Sequence, residues 1–139
     1  MDKTDFLTNG ELRVSPRHIT TLEPGEIFVF GSNAQGMHHG GAARTAHKKF
    51  GAVLGNGEGL QGQSYAIPTM EGKESTKRAV ERFTQFAQAH PELKFLVTPV
   101  GCGIAGYTPE EIAPMFRAAA TLENVYLPGF FWKLLMTEE

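Results

Sequence analysis

The chain has little of several things that would announce a class of function. It has one cysteine, Cys102, in 139 residues, which excludes an internal disulfide and a cysteine-rich zinc site. It has no basic surplus, because 13 Lys and Arg stand against 15 Asp and Glu for a net charge of -2. Coating nucleic acid or anchoring a polybasic segment on a membrane needs that surplus, so neither is expected. No apolar run approaches the about 18 residues of a bilayer-spanning helix. The stretch Phe130-Phe131-Trp132-Lys133-Leu134-Leu135-Met136 is short and reads as a segment docked on the core. The opening Met1-Asp2-Lys3-Thr4-Asp5 is polar with no apolar run behind it, so no targeting leader is expected and the expected location is cytoplasmic. Repeats, low-complexity tracts and linkers are missing too. The length fits one domain, 1–139, large enough to bury a core without staples.

Glycine is what the chain has in quantity, 16 residues mostly in three clusters. Ile27-Phe28-Val29-Phe30 reads as a strand buried on both faces, the parallel-sheet pattern. Residues 31–41 follow as a loop, and 42–50 read as a helix closed by Gly51. Residues 55–62 read as a mobile loop, and 64–67 as a short strand ended by Pro68. Ala79, Val80, Phe83, Phe86 and Ala87 recur at helical spacing, and His90-Pro91 stops that helix. Phe95-Leu96-Val97 is a second buried strand. Thr108 fits an N-cap, Pro109 the first helical position, and Glu111 closes a capping box. That helix is expected to run to Leu122, bent at Pro114. Val125-Tyr126-Leu127 is the last strand. The alternation predicts an α/β fold, a mixed, mostly parallel sheet with helices on both faces.

Two glycine loops each follow a buried strand and open a helix, which places them at the carboxyl edge of the sheet, where ligands bind. Glycine lets the backbone approach a ligand closely, and a helix N-terminus adds unpaired N–H groups. Together they make an anion cradle without lysine; the plainer reading is two tight turns. Gly101-Cys102-Gly103-Ile104-Ala105-Gly106 also spells G-x-G-x-x-G. The dinucleotide reading needs an acid at the end of the next strand, and Glu123 precedes that strand instead. The 55–62 cluster lacks the G-K-[ST] ending of a Walker loop.

Read together, the loops resemble a known family. Phe30-Gly31-Ser32-Asn33 through Gly40-Gly41 into His47-Lys48-Lys49-Phe50-Gly51 is similar to the first ligand loop of macrodomains. Thr98-Pro99-Val100-Gly101-Cys102-Gly103-Ile104, followed by Thr108-Pro109-Glu110-Glu111-Ile112, resembles their phosphate loop and last helix. The Lys-Lys-Phe-Gly and Gly-Cys-Gly pieces are nearest the branch of the terminal ADP-ribose protein glycohydrolases. The resemblance covers residues 18–132 and implies a three-layer α/β/α macrodomain-like domain. It also implies a site for ADP-ribose or a close derivative, with the diphosphate on the second loop and the distal ribose in the first. The chain departs from the family pattern at four places. His18 falls where an adenine-binding acid is usual, and Ala43, Met70 and Ala105 fall where the hydrolytic branches carry an acid or a lysine.

The ligand-binding residues that follow are Gly31, Ser32, Asn33, Gly40, Gly41, Gly101, Cys102, Gly103, Ile104, Ala105, Gly106 and Tyr107, with Phe130 as an aromatic to stack on adenine. Asn33 either binds a ribose hydroxyl or caps its own turn. His39 and His38 are candidate proton carriers with Asn33 orienting ribose or water, or else two exposed loop histidines. His47 reads as a core or buttress residue, and Cys102 as a small buried filler rather than a nucleophile. The partners implied are ADP-ribose or a related nucleotide and an ADP-ribosylated macromolecule, with no metal and no cofactor. The resulting function is binding in a macrodomain-type cleft, with hydrolysis of ADP-ribosylated protein or ADP-ribose phosphate open only by a variant mechanism. The alternatives are an NAD-binding enzyme using the Gly101–Gly106 turn and a non-catalytic interaction protein.

Overall fold

β1 (Glu26–Ser32) sits at the centre of the sheet because its side chains can be buried on both sides. Ile27 and Val29 enter one apolar cluster, and Phe28 and Phe30 enter the other. The computed structural model describes residues 3–137. Its elements follow as α1 (Gly41–Lys49), β2 (Gly59–Gln61), β3 (Ser64–Pro68), α2 (Lys73–Ala89), β4 (Lys94–Val97), α3 (Pro109–Ile112), β5 (Val125–Tyr126) and α4 (Gly129–Thr137). The strands form one five-stranded sheet in the order β2-β3-β1-β4-β5. β1 runs parallel to β3 and β4, β4 runs parallel to β5, and β2 is antiparallel to β3. The protein is therefore α/β with a mixed, mostly parallel sheet. No helix among the described residues is long and apolar enough to cross a membrane.

α1 buries Ala43 and Ala46 with Phe28, Phe30, Phe50 and Ala66. The small side chains let the helix lie close, and Phe28 and Phe50 meet with ring centroids 5.0 Å apart. α2 buries Ala79, Val80, Phe83 and Ala87 in the opposite cluster. Phe83 is the hub there, edge-on to Tyr65 at 5.2 Å and to Phe95 at 5.4 Å. Each such side chain contributes about 1.5–3 kcal/mol through burial. The same burial raises the Tyr65 hydroxyl pKa to about 12.

Two expectations from the sequence need correction. The 55–62 stretch is not simply a loop, because Gly59-Leu60-Gln61 pairs with Ala66, Tyr65 and Ser64 as an antiparallel edge strand. The helix opened by Thr108 does not reach Leu122. Its capping box forms, with the Thr108 hydroxyl accepting from the Glu111 N–H at 3.2 Å and the Glu111 carboxylate accepting from the Thr108 N–H at 2.9 Å. The helix stops at Ile112, and 3₁₀ turns follow at Ala113–Phe116 and Ala119–Thr121. Pro114 has no N–H for the carbonyl one turn back and its ring crowds that carbonyl, so the chain tightens there instead of continuing.

The segment before β1 is fastened to the far end of the chain. The Ser15 N–H donates to the Leu127 carbonyl at 2.9 Å, the Leu127 N–H to the Arg13 carbonyl at 3.0 Å, and the Ser15 hydroxyl to the Val97 carbonyl at 2.8 Å. Arg13 is buried, and its guanidinium donates to the carbonyls of Leu122 (2.8 Å), Val125 (2.9 Å), Ala120 (2.5 Å) and Phe6 (3.2 Å). Its Nε donates to the Thr8 hydroxyl at 3.0 Å, and Trp132 lies under the guanidinium at 5.5 Å. This latch lays residues 14–20 beside the ends of β1 and β4.

Candidate ligand-binding cleft

β1 and β4 are neighbours, but the loops that leave their carboxyl ends part. One leads to α1 over the Phe30 cluster, and the other leads to α3, whose Ile112 lies in the Phe83 cluster. Loops diverging from adjacent parallel strands open a crevice at the sheet edge, where α/β sheets bind ligands. A cavity of about 380 Å³ lies there, between the two glycine loops. A second cavity of about 900 Å³ adjoins it, bounded by residues 14–20, the face of α1 and the start of α4. Ala42, Thr98 and Pro99 line both, so the two adjoin at these residues.

The loops approach closely at Gly31, where a Cβ would stand 3.3 Å from the Gly101 amide nitrogen. Gly101 has φ +77°, and a Cβ there would lie 3.0 Å from Ile112 Cδ1. Glycine at 101 thus serves the turn itself. The N–H groups of Gly103, Ile104 and Ala105 reach no backbone acceptor among the described residues. Gly40 caps α1 without a side-chain hydrogen bond, and Gly40, Gly41, Ala42 and Ala43 line the smaller cavity. Neither cavity has an Asp or Glu in its lining. Unpaired N–H donors in a wall that holds no carboxylate suit an anion. No group of three or more His, Cys, Asp and Glu side chains suited to a metal occurs among the described residues.

Of the residues singled out in the sequence, Gly31, Ser32, Asn33, His39, Gly40, Gly41, Gly101, Gly103, Ile104 and Ala105 line the smaller cavity. Phe130 lines the larger one and is 43% exposed, while Phe131 and Trp132 are buried core. Cys102, Gly106 and Tyr107 line neither cavity; Cys102 and Tyr107 pack against the core cluster instead. The Asn33 side chain is occupied by its own loop: Oδ1 accepts from the Met37 N–H at 2.9 Å and Nδ2 donates to the Met37 carbonyl at 3.3 Å. Ser32 is likewise engaged, with its hydroxyl donating to the Gly57 carbonyl.

The histidines separate. His39 is exposed and is the one titratable side chain in the lining of the smaller cavity. His38 is 2% exposed, stands edge-on to Phe30 at 5.2 Å and lines neither cavity. Both of its ring nitrogens are without a hydrogen-bond partner, so it is packed into the α1-side core rather than presented to the groove. His47 is not core, because it is exposed with Nδ1 against the Ala52 carbonyl at 2.8 Å. Ala43, Met70 and Ala105 all border the smaller cavity.

Several lining residues escape the sequence reading, among them Thr69, Thr45 and Lys49. Ala42, Thr45 and Lys49 fall at i, i+3 and i+7, one face of α1. That spacing was the available signal, masked because the face mixes apolar, polar and charged side chains.

Cys102 carries a testable consequence. Burial, and then the charges of Glu110 and Glu111, push its thiol up from the ordinary value. A raised pKa means less thiolate at neutral pH, and the thiolate is the nucleophile. Alkylation by iodoacetamide at pH 7 is expected to be slower than that of a free cysteine and to accelerate only as the pH rises beyond the ordinary thiol value. A rate equal to that of free cysteine would show that the thiol is not shielded.

No family model, curated protein or solved structure matches the chain.

Proposed function

We propose that the chain is a macrodomain-like module, with α1 on one side of the sheet and the remaining helices on the other, that binds ADP-ribose or a close derivative. The observation that supports this reading is the bipartite groove: two adjoining cavities at the β1/β4 crevice, with no carboxylate in their linings and with Gly103, Ile104 and Ala105, whose N–H groups reach no backbone acceptor, in the wall of the smaller one. In this reading the diphosphate lies on the N–H groups of Gly103–Ala105, the distal ribose fills the smaller cavity, and the nucleoside fills the larger one with Phe130 against its base. The partner is a cytoplasmic nucleotide or an ADP-ribosylated macromolecule.

The module works as a binder. Hydrolysis needs a base to position water, and Ala43, Met70 and Ala105 offer none around the smaller cavity. Only a route through His39 remains for the variant hydrolysis that the sequence leaves open.

Titration calorimetry tests the reading. ADP-ribose is expected to bind at least about tenfold more tightly than AMP, which is about 1.4 kcal/mol of added contact from its second phosphate and distal ribose. A thermal shift that follows ADP-ribose but barely follows AMP is the matching stability result. Equal affinities would reduce the site to a nucleoside pocket, and tighter binding of NAD would favour a dinucleotide enzyme.

A further inference from the structure

The larger cavity contains Arg17 and Lys49 and no carboxylate, in a chain whose net charge is negative. Neither cation takes part in an ion pair or side-chain hydrogen bond among the described residues; the ion pairs there are Lys73–Glu111, Arg82–Glu58 and Lys94–Glu26. α1 cannot neutralise its own lysine, because its sequence GAARTAHKK contains no acid. The rest of the wall is largely apolar, with Phe28, Ile19 and Phe130. An apolar body with an anionic substituent fits such a wall.

Position along α1 indicates where the anion belongs. Ala42 borders both cavities, and Lys49 lies seven residues farther on, about 10 Å along the helix axis. Its charge therefore stands at the nucleoside end of the groove, away from the junction. We infer that the ligand carries a further phosphate on its nucleoside ribose, held by Arg17 and Lys49, so that a 2′-phosphorylated ADP-ribose is preferred over ADP-ribose itself. This rests on the ADP-ribose reading for the other half of the ligand. The wall chemistry applies equally to a free nucleoside bisphosphate, and that allows a separate test.

Calorimetry on two matched pairs decides it: adenosine 2′,5′-bisphosphate against AMP, and 2′-phospho-ADP-ribose against ADP-ribose, each at low and raised salt. The added phosphate is expected to tighten binding about tenfold or more in both pairs at low salt. That advantage should shrink as salt rises, because exposed charges are screened. In the double variant Arg17→Gln, Lys49→Gln the affinity ratio within each pair is expected to fall to within about twofold of unity, whatever the change in absolute affinity. Both side chains are exposed, so the variant should fold, with circular dichroism as the check. Equal affinities within each pair overturn the phosphate inference and leave the ADP-ribose reading standing. A phosphate preference that survives in the double variant also overturns it. Preference for the bisphosphate with no binding of either ADP-ribose compound supports the phosphate inference and overturns the reading of the smaller cavity. No binding of any of the four ligands overturns both.

Discussion

Gly103→Val is expected to abolish ADP-ribose binding, by about 100-fold or more, in a protein that remains folded. Gly103 differs from its neighbours in a way that makes it a clean probe. Its backbone does not lie in the left-handed region, and a Cβ built on it meets nothing within 4 Å. The first carbon of a side chain there meets no neighbour, and no left-handed torsion opposes it. It does stand at the wall of the smaller cavity, beside the N–H groups that the diphosphate would use. Gly101→Val would be a poor test, since φ +77° and Ile112 at 3.0 Å both oppose a side chain. The measurement is a binding isotherm beside a thermal melt. Unchanged affinity in Gly103→Val would remove the second loop from the site.

Arg13→Ala is expected to be the most destabilising single change outside the apolar core. Four carbonyls, the Thr8 hydroxyl and the face of Trp132 converge on that guanidinium. Burial pushes the Arg13 pKa down, yet arginine keeps its proton at any physiological pH, so the group is charged with no carboxylate hydrogen-bonded to it among the described residues. Deleting it strands buried acceptors, and the loss is expected to be about 3–5 kcal/mol. For a domain of this size that corresponds to a drop in Tm on the order of 10 °C or more. Arg13→Lys should recover only part, because one ammonium cannot reach all the carbonyls that the planar fork reaches. A melting temperature for Arg13→Ala within about 2 °C of the parent would mean that water replaces the guanidinium.

The parts of the fold legible in the sequence are those written in local signals. β1 and β4 are short apolar runs, α2 has a helical stripe, and Thr108 to Glu111 spells its own cap. What was not legible depends on residues far apart. β2 is three residues between glycines and becomes a strand only because β3 offers it an edge. Arg13 lies between Leu12 and Val14 with no local signal to mark it as a buried hub, and its carbonyl acceptors at Ala120, Leu122 and Val125 lie at the other end of the chain. Pro114 is visible in the sequence, but whether a proline bends or ends a helix depends on the packing around it. In the candidate site, the two glycine loops are legible because each follows a buried strand. The larger cavity is less so, since its wall is assembled from residues 14–20, one face of α1 and Phe130. The same limit explains His38, whose burial against Phe30 has no counterpart in local spacing.

The loop that follows β1 is braced from behind, and that bears on what a ligand would lose on arrival. The Ser32 hydroxyl holds the Gly57 carbonyl, and the Gly55 N–H holds the Gly36 carbonyl at 3.0 Å. Gly57 lies so close to the Asn33 carbonyl that no side chain fits between them. The next residue, Glu58, is clamped by both arms of Arg82 on α2, at 2.5 and 2.9 Å. Glu71 accepts from the Ala34 N–H at 2.9 Å. Residues 32–37 are thus tied to two other parts of the chain before any ligand enters. Ordering a slack loop would cost conformational entropy on every binding event. Here that ordering is done during folding, so under the proposed function a ligand would meet a prepared surface, and discrimination would fall to the fit of the groove rather than to a loop reshaping itself around each ligand.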